Sequence, residues 1–132
     1  MNKDSEDSDL KIEHIDEKQA PKFYHDMKLA VLNGAVITSI GSYITYPIPL
    51  ESAKLLANAM EVQSFIGHES TAKTLSKLLK RPIPYRREEL CQSVGQMALV
   101  FKLKERQPEG VVLTREQLED IGYEFWILYR TK

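Results

Sequence analysis

Val62–Leu79, VQSFIGHESTAKTLSKLL, is the stretch on which the fold turns. Val62 to Ile66 has the length and composition of a short strand, and Gly67 breaks it. Beyond the glycine, Ala72, Leu75, Leu78 and Leu79 recur three and four residues apart, which puts them on one face of a helix. The stretch reads as strand, tight turn, helix, with the helix packed on a sheet.

Upstream, Lys28 to Thr38 (KLAVLNGAVIT) is an apolar, valine-rich run broken by Asn33-Gly34, as expected of a buried strand with a bulge or a close backbone approach. Gly41, Pro47 and Pro49 then punctuate a loop. From Leu50, the spacing of Ala53, Leu56, Ala57 and Met60 predicts another amphipathic helix. Downstream, Pro82 and Pro84 each remove a backbone donor, so their segment is expected to be an edge or an extended arm. Met97 to Leu103 (MALVFKL) is apolar and then alternates, which predicts a strand with one exposed end. Thr114 and Gln117 have the spacing of a capping box, Gly122 stands where that helix would stop, and Tyr123 to Tyr129 (YEFWILY) is strongly β-prone.

These elements predict one α/β (α+β) domain, a small mixed sheet flanked by helices. The chain, 132 residues, supports one hydrophobic core and not two. Residues 1–25 read as a flexible acidic N-terminal extension, too poor in apolar residues to offset the entropy of ordering, and residues 26–132 as the domain. No apolar run approaches the roughly 18 residues of a membrane span, and the N-terminus lacks the pattern of a secretory signal, so a cytoplasmic protein is expected. The lone cysteine, Cys91, forms no intramolecular disulfide and is expected in the interior as a small hydrophobe. His14, His25 and His68 are too scattered for a metal site. A net charge of −1 disfavours a grip on duplex DNA, which needs a broad basic surface, but is compatible with a few arginines gathered around a compact anion.

Three short stretches carry candidate chemistry. If a strand ends at Ile66 and a helix opens near Ser70, then Gly67, His68 and the amides of Glu69, Ser70 and Thr71 form a seat for an anion at the helix N-terminus. Ser70 and Thr71 also fit as plain N-caps, and His68 as an exposed or structural histidine. Arg86-Arg87, with Arg81 nearby, could bind phosphate bidentately or form a solvated face beside Glu88 and Glu89. Arg106-Gln-Pro-Glu-Gly110 follows an apolar strand, a usual place for functional side chains and equally for an ordinary turn.

Together, Leu32-Asn33, Ser64-Phe-Ile-Gly-His-Glu-Ser-Thr-Ala72, Ile83-Pro-Tyr-Arg-Arg87 and Arg106-Gln-Pro-Glu-Gly110 resemble, in order and approximate spacing, the viral ring-nuclease family. That family comprises type III anti-CRISPR proteins of archaeal viruses and bacterial relatives on phages and mobile elements. The resemblance covers about Leu29 to Tyr129, and its most specific piece is the turn around His68. It implies a two-fold homodimer that degrades cyclic tetra-adenylate, needs no cofactor and switches off type III CRISPR signalling. By resemblance His68, Arg106 and Glu109 are catalytic, and Asn33, Gly67, Ser70, Thr71 and Arg87 bind ligand. Arg86 stands where the pattern often has asparagine, and Val36 where archaeal-virus members carry a ligand-contacting serine, with Thr38 or Ser39 as substitutes. The alternative is a non-enzymatic nucleic-acid-binding or regulatory protein of a phage or mobile element.

The implied chemistry follows from the residues. A ribose 2′-hydroxyl attacks its own 3′-phosphate, leaving a cyclic phosphate and a free 5′-hydroxyl. Arginines hold the non-bridging oxygens, and a protonated His68 donates to the departing oxygen.

Overall fold

The computed structural model describes residues 27–108 and 110–132; the extension read over residues 1–25, and Glu109, lie outside the described residues. Among the described residues the chain forms five strands and three helices: β1 Leu29–Asn33, β2 Tyr43–Ile48, α1 Leu50–Ala59, β3 Val62–Ser64, α2 Glu69–Leu79, β4 Met97–Leu103, α3 Arg115–Ile121 and β5 Tyr123–Arg130. They build a single mixed sheet in the order β2-β5-β4-β1-β3. The central strand β1 runs parallel to both β3 and β4, while β5 is antiparallel to β4 and β2.

One face of the sheet is covered by helices. Leu29, Val31, Leu99, Phe101, Phe125 and Ile127 project onto it and meet Ala53 and Ala57 of α1, the inward face of α2, and Leu118 of α3. Ala72, Leu75, Leu78 and Leu79 are all buried, as their spacing predicts. Alternation puts Ala30, Leu32, Ala98, Val100 and Leu128 on the opposite face, where Leu90 and the partly buried Phe65 and Trp126 cover them. The capping box forms in both directions: Thr114 Oγ1 accepts from the Gln117 amide at 3.1 Å, and Gln117 Oε1 accepts from the Thr114 amide at 2.9 Å. Helix α3 stops at Gly122, whose φ of 90° lies in the region that glycine favours.

Several details differ from the sequence reading. Strand β1 ends at Asn33 and does not continue to Thr38, because Gly34 turns the chain at φ 92°. The segment read as a loop around Pro47 is strand β2. It is an edge strand whose pairing partner β5 is far away in sequence, and an edge tolerates a proline. Strand β3 stops at Ser64, whose hydroxyl accepts from the Ile66 amide at 3.2 Å; Ile66 instead makes an isolated bridge with Tyr85. Cys91 is exposed, because the neighbouring Leu90 takes the interior position. Arg81 does not join Arg86 and Arg87: its guanidinium donates to the carbonyls of Ala57 and Met60, at 2.8 and 2.9 Å, and closes the C-terminal end of α1.

Candidate functional site

Because β3 and β4 both flank β1 in parallel, the carboxyl ends of three strands come together at one edge of the sheet. Open α/β sheets bind ligands in the crevice outside such ends. A cavity of about 380 Å³ lies here, lined by Asn33 from the end of β1, His68, Ser70 and Thr71 from the turn into α2, and Lys102 and Arg106 from β4 and its loop. Three stretches far apart in sequence thus supply one site. Phe101, Leu103 and Leu113 form its apolar side.

Each wall has a local cause. The Gly34 amide donates to the Phe101 carbonyl at 3.0 Å, which ties the exit of β1 to β4. On the other side of β1, the Phe65 amide donates to the Val31 carbonyl at 2.9 Å and fixes the path into the turn. Helix α2 begins at Glu69, with His68 as the extended cap residue (φ −132°, ψ 126°). Ser70 and Thr71 are therefore the second and third helical residues and not the caps. The His68 side chain makes no capping hydrogen bond, and the residues of the first turn, Ser70 and Thr71, line the cavity, which puts the positive end of the helix dipole beside it. At the far side, the Lys104 amide donates to the Gly122 carbonyl at 2.9 Å, which anchors the point where the Arg106 loop leaves β4.

Lys102 and Arg106 give the cavity its cationic side chains, His68 adds an imidazole, and no carboxylate lines it among the described residues. Together with the helix N-terminus, these groups can offer donors and positive charge to a phosphate-sized anion. Arg87 and Gly67 lie outside the cavity lining and beside one another: a Cβ at Gly67 would stand 3.6 Å from Arg87 Cγ. Arg86 is ion-paired with Glu88 at 2.5 Å. Thr38 Oγ1 donates to the Leu90 carbonyl, and the Ser39 carbonyl accepts from the Tyr43 hydroxyl at 2.7 Å. Sequence reasoning missed Lys102. Its signal was a charged residue between Phe101 and Leu103, at the strand end that the hydrophobic pattern marks as exposed. Among the described residues no three His, Cys, Asp or Glu side chains gather into a group that could hold a metal, and no helix is long and apolar enough to cross a membrane.

The fold and the cavity define a small α+β protein with a crevice at the carboxyl ends of its parallel strands, lined by His68, Lys102 and Arg106. More particularly, the chain belongs to the STIV B116-like family, which matches residues 29–125 and so spans every described residue of the cavity. It is 41% identical over 106 residues to the uncharacterized protein YddF of Bacillus subtilis (strain 168), covering 79% of this chain and 98% of that one. It is 38% identical to uncharacterized protein 26 of Sulfolobus islandicus filamentous virus, over 61% of this chain and 69% of the viral one. It is also 35% identical to ORF117 of Acidianus two-tailed virus, over 64% and 75% of the respective chains. Among solved structures, B116 of Sulfolobus turreted icosahedral virus has the same fold, with a TM-score of 0.65 at 20% identity over 78% of this chain and 99% of that one.

Proposed function

We propose that this protein is a homodimeric, metal-independent nuclease that opens cyclic tetra-adenylate and so switches off type III CRISPR signalling in the cytoplasm of the cell that makes the ring. The observation that carries the reading is the convergence of Asn33, His68, Ser70, Thr71 and Arg106 on one cavity. Viral relatives suit a protein that silences a host defence signal.

The reaction makes modest demands on the protein, because the substrate brings its own nucleophile. The 2′-oxygen forms a bond to the adjacent phosphorus, the bond from phosphorus to the 5′-oxygen breaks, and the 2′-proton leaves to solvent or to a nearby base. His68 gives a proton to the departing 5′-oxygen. Arg106, Lys102 and the first-turn amides of α2 neutralise the charge that builds on the non-bridging oxygens. Glu109, three residues after Arg106 in the sequence, completes the proposed catalytic set. Arg87 and Gly67 remain proposed ligand contacts, beside one another and outside the cavity lining.

Arg106→Ala and Lys102→Ala are each expected to weaken ring binding and to lower the slope of log affinity against log salt by about 0.7, the share of one phosphate contact on a single strand. A titration over several salt concentrations measures both, and unchanged slopes would remove these residues from the phosphate contacts.

A two-fold dimer lets each protomer contact one half of a four-nucleotide ring. The loop between β1 and β2 supports dimerisation, since it exposes Val36, Ile37 and, at 98%, Ile40, an apolar group that a second copy would cover. Ile40→Asp is expected to shift the dimer towards monomer, read by light scattering. An unchanged mass for the variant would place the interface elsewhere.

Titration of the full chain with cyclic tetra-adenylate and with duplex DNA separates this function from a nucleic-acid-binding role. Tight binding of the ring with product formation supports the nuclease. Duplex binding with a steep salt dependence, and no product from the ring, would replace it.

A further inference from the structure

Helix α2 borders a second cavity. One stripe of the helix, from Glu69 to Lys77, lines a groove of about 410 Å³ that is closed on its other sides by Ile83, Tyr85 and Val112. Ala72 and Ile83 are buried in it, while Tyr85 and Val112 stay 49% and 36% exposed, so apolar surface is left open. The groove is preformed: Ser76 Oγ accepts from the Ile83 amide at 2.8 Å, and Tyr85 bridges Ile66. Lys73 and Lys77, one turn apart, stand exposed along it and make no ion pair among the described residues. Such a surface suits aliphatic side chains flanked by carboxylates.

The chain itself carries a segment of that chemistry. Residues 4–17 hold seven Asp or Glu and one Lys, with Leu10, Ile12 and Ile15 among them. Residues 1–26 together hold eight acids and four lysines, a net charge of −4, so a whole chain of −1 leaves +3 on residues 27–132. The two parts attract one another. The segment also joins the domain at the end where the groove's lysines lie. The Leu29 amide donates to the Glu61 carbonyl at 2.8 Å, and three residues earlier in the same connection Asn58 Nδ2 donates to the Leu79 carbonyl at 2.9 Å. The entry to β1 therefore lies close to the last turn of α2, which carries Lys77. Residues 18–26, fully extended, span about 30 Å, against about 16 Å for the whole of α2. We propose that the groove is the docking site of this chain's own residues 10–17, with Leu10, Ile12 and Ile15 against Tyr85 and Val112 and the acidic side chains beside Lys73 and Lys77. The docking is independent of what the crevice binds. A tether this short gives an effective concentration on the order of 1 mM, so an intrinsic Kd of about 0.1 mM keeps the segment docked about ten times as often as free.

Nuclear magnetic resonance of the full chain tests the docking through contacts between the methyl groups of Leu10, Ile12 and Ile15 and the Tyr85 ring. Those contacts are expected in the wild type. Reversing the lysines in Lys73→Glu/Lys77→Glu, both at exposed positions, is expected to lower the ratio of docked to free segment about tenfold, to about 1:1, while the resonances of the core stay in place. Adding Asp16→Lys/Glu17→Lys to that variant is expected to restore the wild-type ratio. A wild-type chain without the methyl contacts would overturn the proposal, and so would contacts indifferent to the charge reversal. In a mixture of labelled and unlabelled copies, contacts that pass only between chains would assign the groove to a second copy's segment and overturn docking within one chain.

Discussion

His68→Ala is expected to leave binding of cyclic tetra-adenylate in place and to slow its cleavage by about 10²-fold or more, at least about 2.7 kcal/mol of barrier. The substitution removes the proposed proton donor. It leaves the first-turn amides of α2, which come from the backbone, together with Lys102 and Arg106 on the other side of the cavity. The ground-state phosphate therefore keeps its partners, while the departing 5′-oxygen must leave as an alkoxide or take its proton from water. The result is read as a single-turnover rate at saturating protein. Arg106→Ala differs in kind, since a guanidinium meets charge present in both ground and transition states and should lower affinity as well as rate. Wild-type cleavage by folded His68→Ala would remove the histidine from catalysis.

Phe101→Ala is expected to cost about 3–5 kcal/mol of folding stability. Phe101 is 1% exposed, and its ring centroid lies 5.4 Å from that of Phe125 and 6.1 Å from that of Tyr123. It stands in register with Asn33 on one side and Phe125 on the other, where β4 opens onto the cavity. The void left by the ring would lie beneath the site as well as in the core, so the crevice should loosen along with the sheet. Denaturant unfolding gives the number. A loss below about 1 kcal/mol would mean that the aromatic cluster is not the packed unit described.

The parts of the fold legible in the sequence were those with a local cause. Helix α2 announced itself through four apolar residues on one face, β4 through an apolar run of strand length, and α3 through a cap whose two halves stand three residues apart. Strand β2 was not legible, since Gly41, Pro47 and Pro49 all speak for a loop. What makes it a strand is pairing from Tyr43↔Arg130 to Ile48↔Phe125, which no local pattern carries. Arg81 misled for the same reason: the carbonyls it satisfies lie 24 and 21 residues upstream. In the site, the turn around His68 was readable because a strand–glycine–helix junction exposes its amides wherever it occurs. The joining of that turn to Asn33 and Arg106 was not, because it depends on β1 lying between β3 and β4. Lys102 escaped because a lysine at a strand end usually only meets solvent.

The central claim is tested most directly by incubating the full chain with cyclic tetra-adenylate in excess chelator and identifying the products by chromatography and mass spectrometry. The account predicts linear oligoadenylate ending in a 2′,3′-cyclic phosphate and a free 5′-hydroxyl, formed at an undiminished rate in the chelator. A ring recovered intact, or activity that disappears on chelation and returns with Mg²⁺ or Mn²⁺, would contradict it.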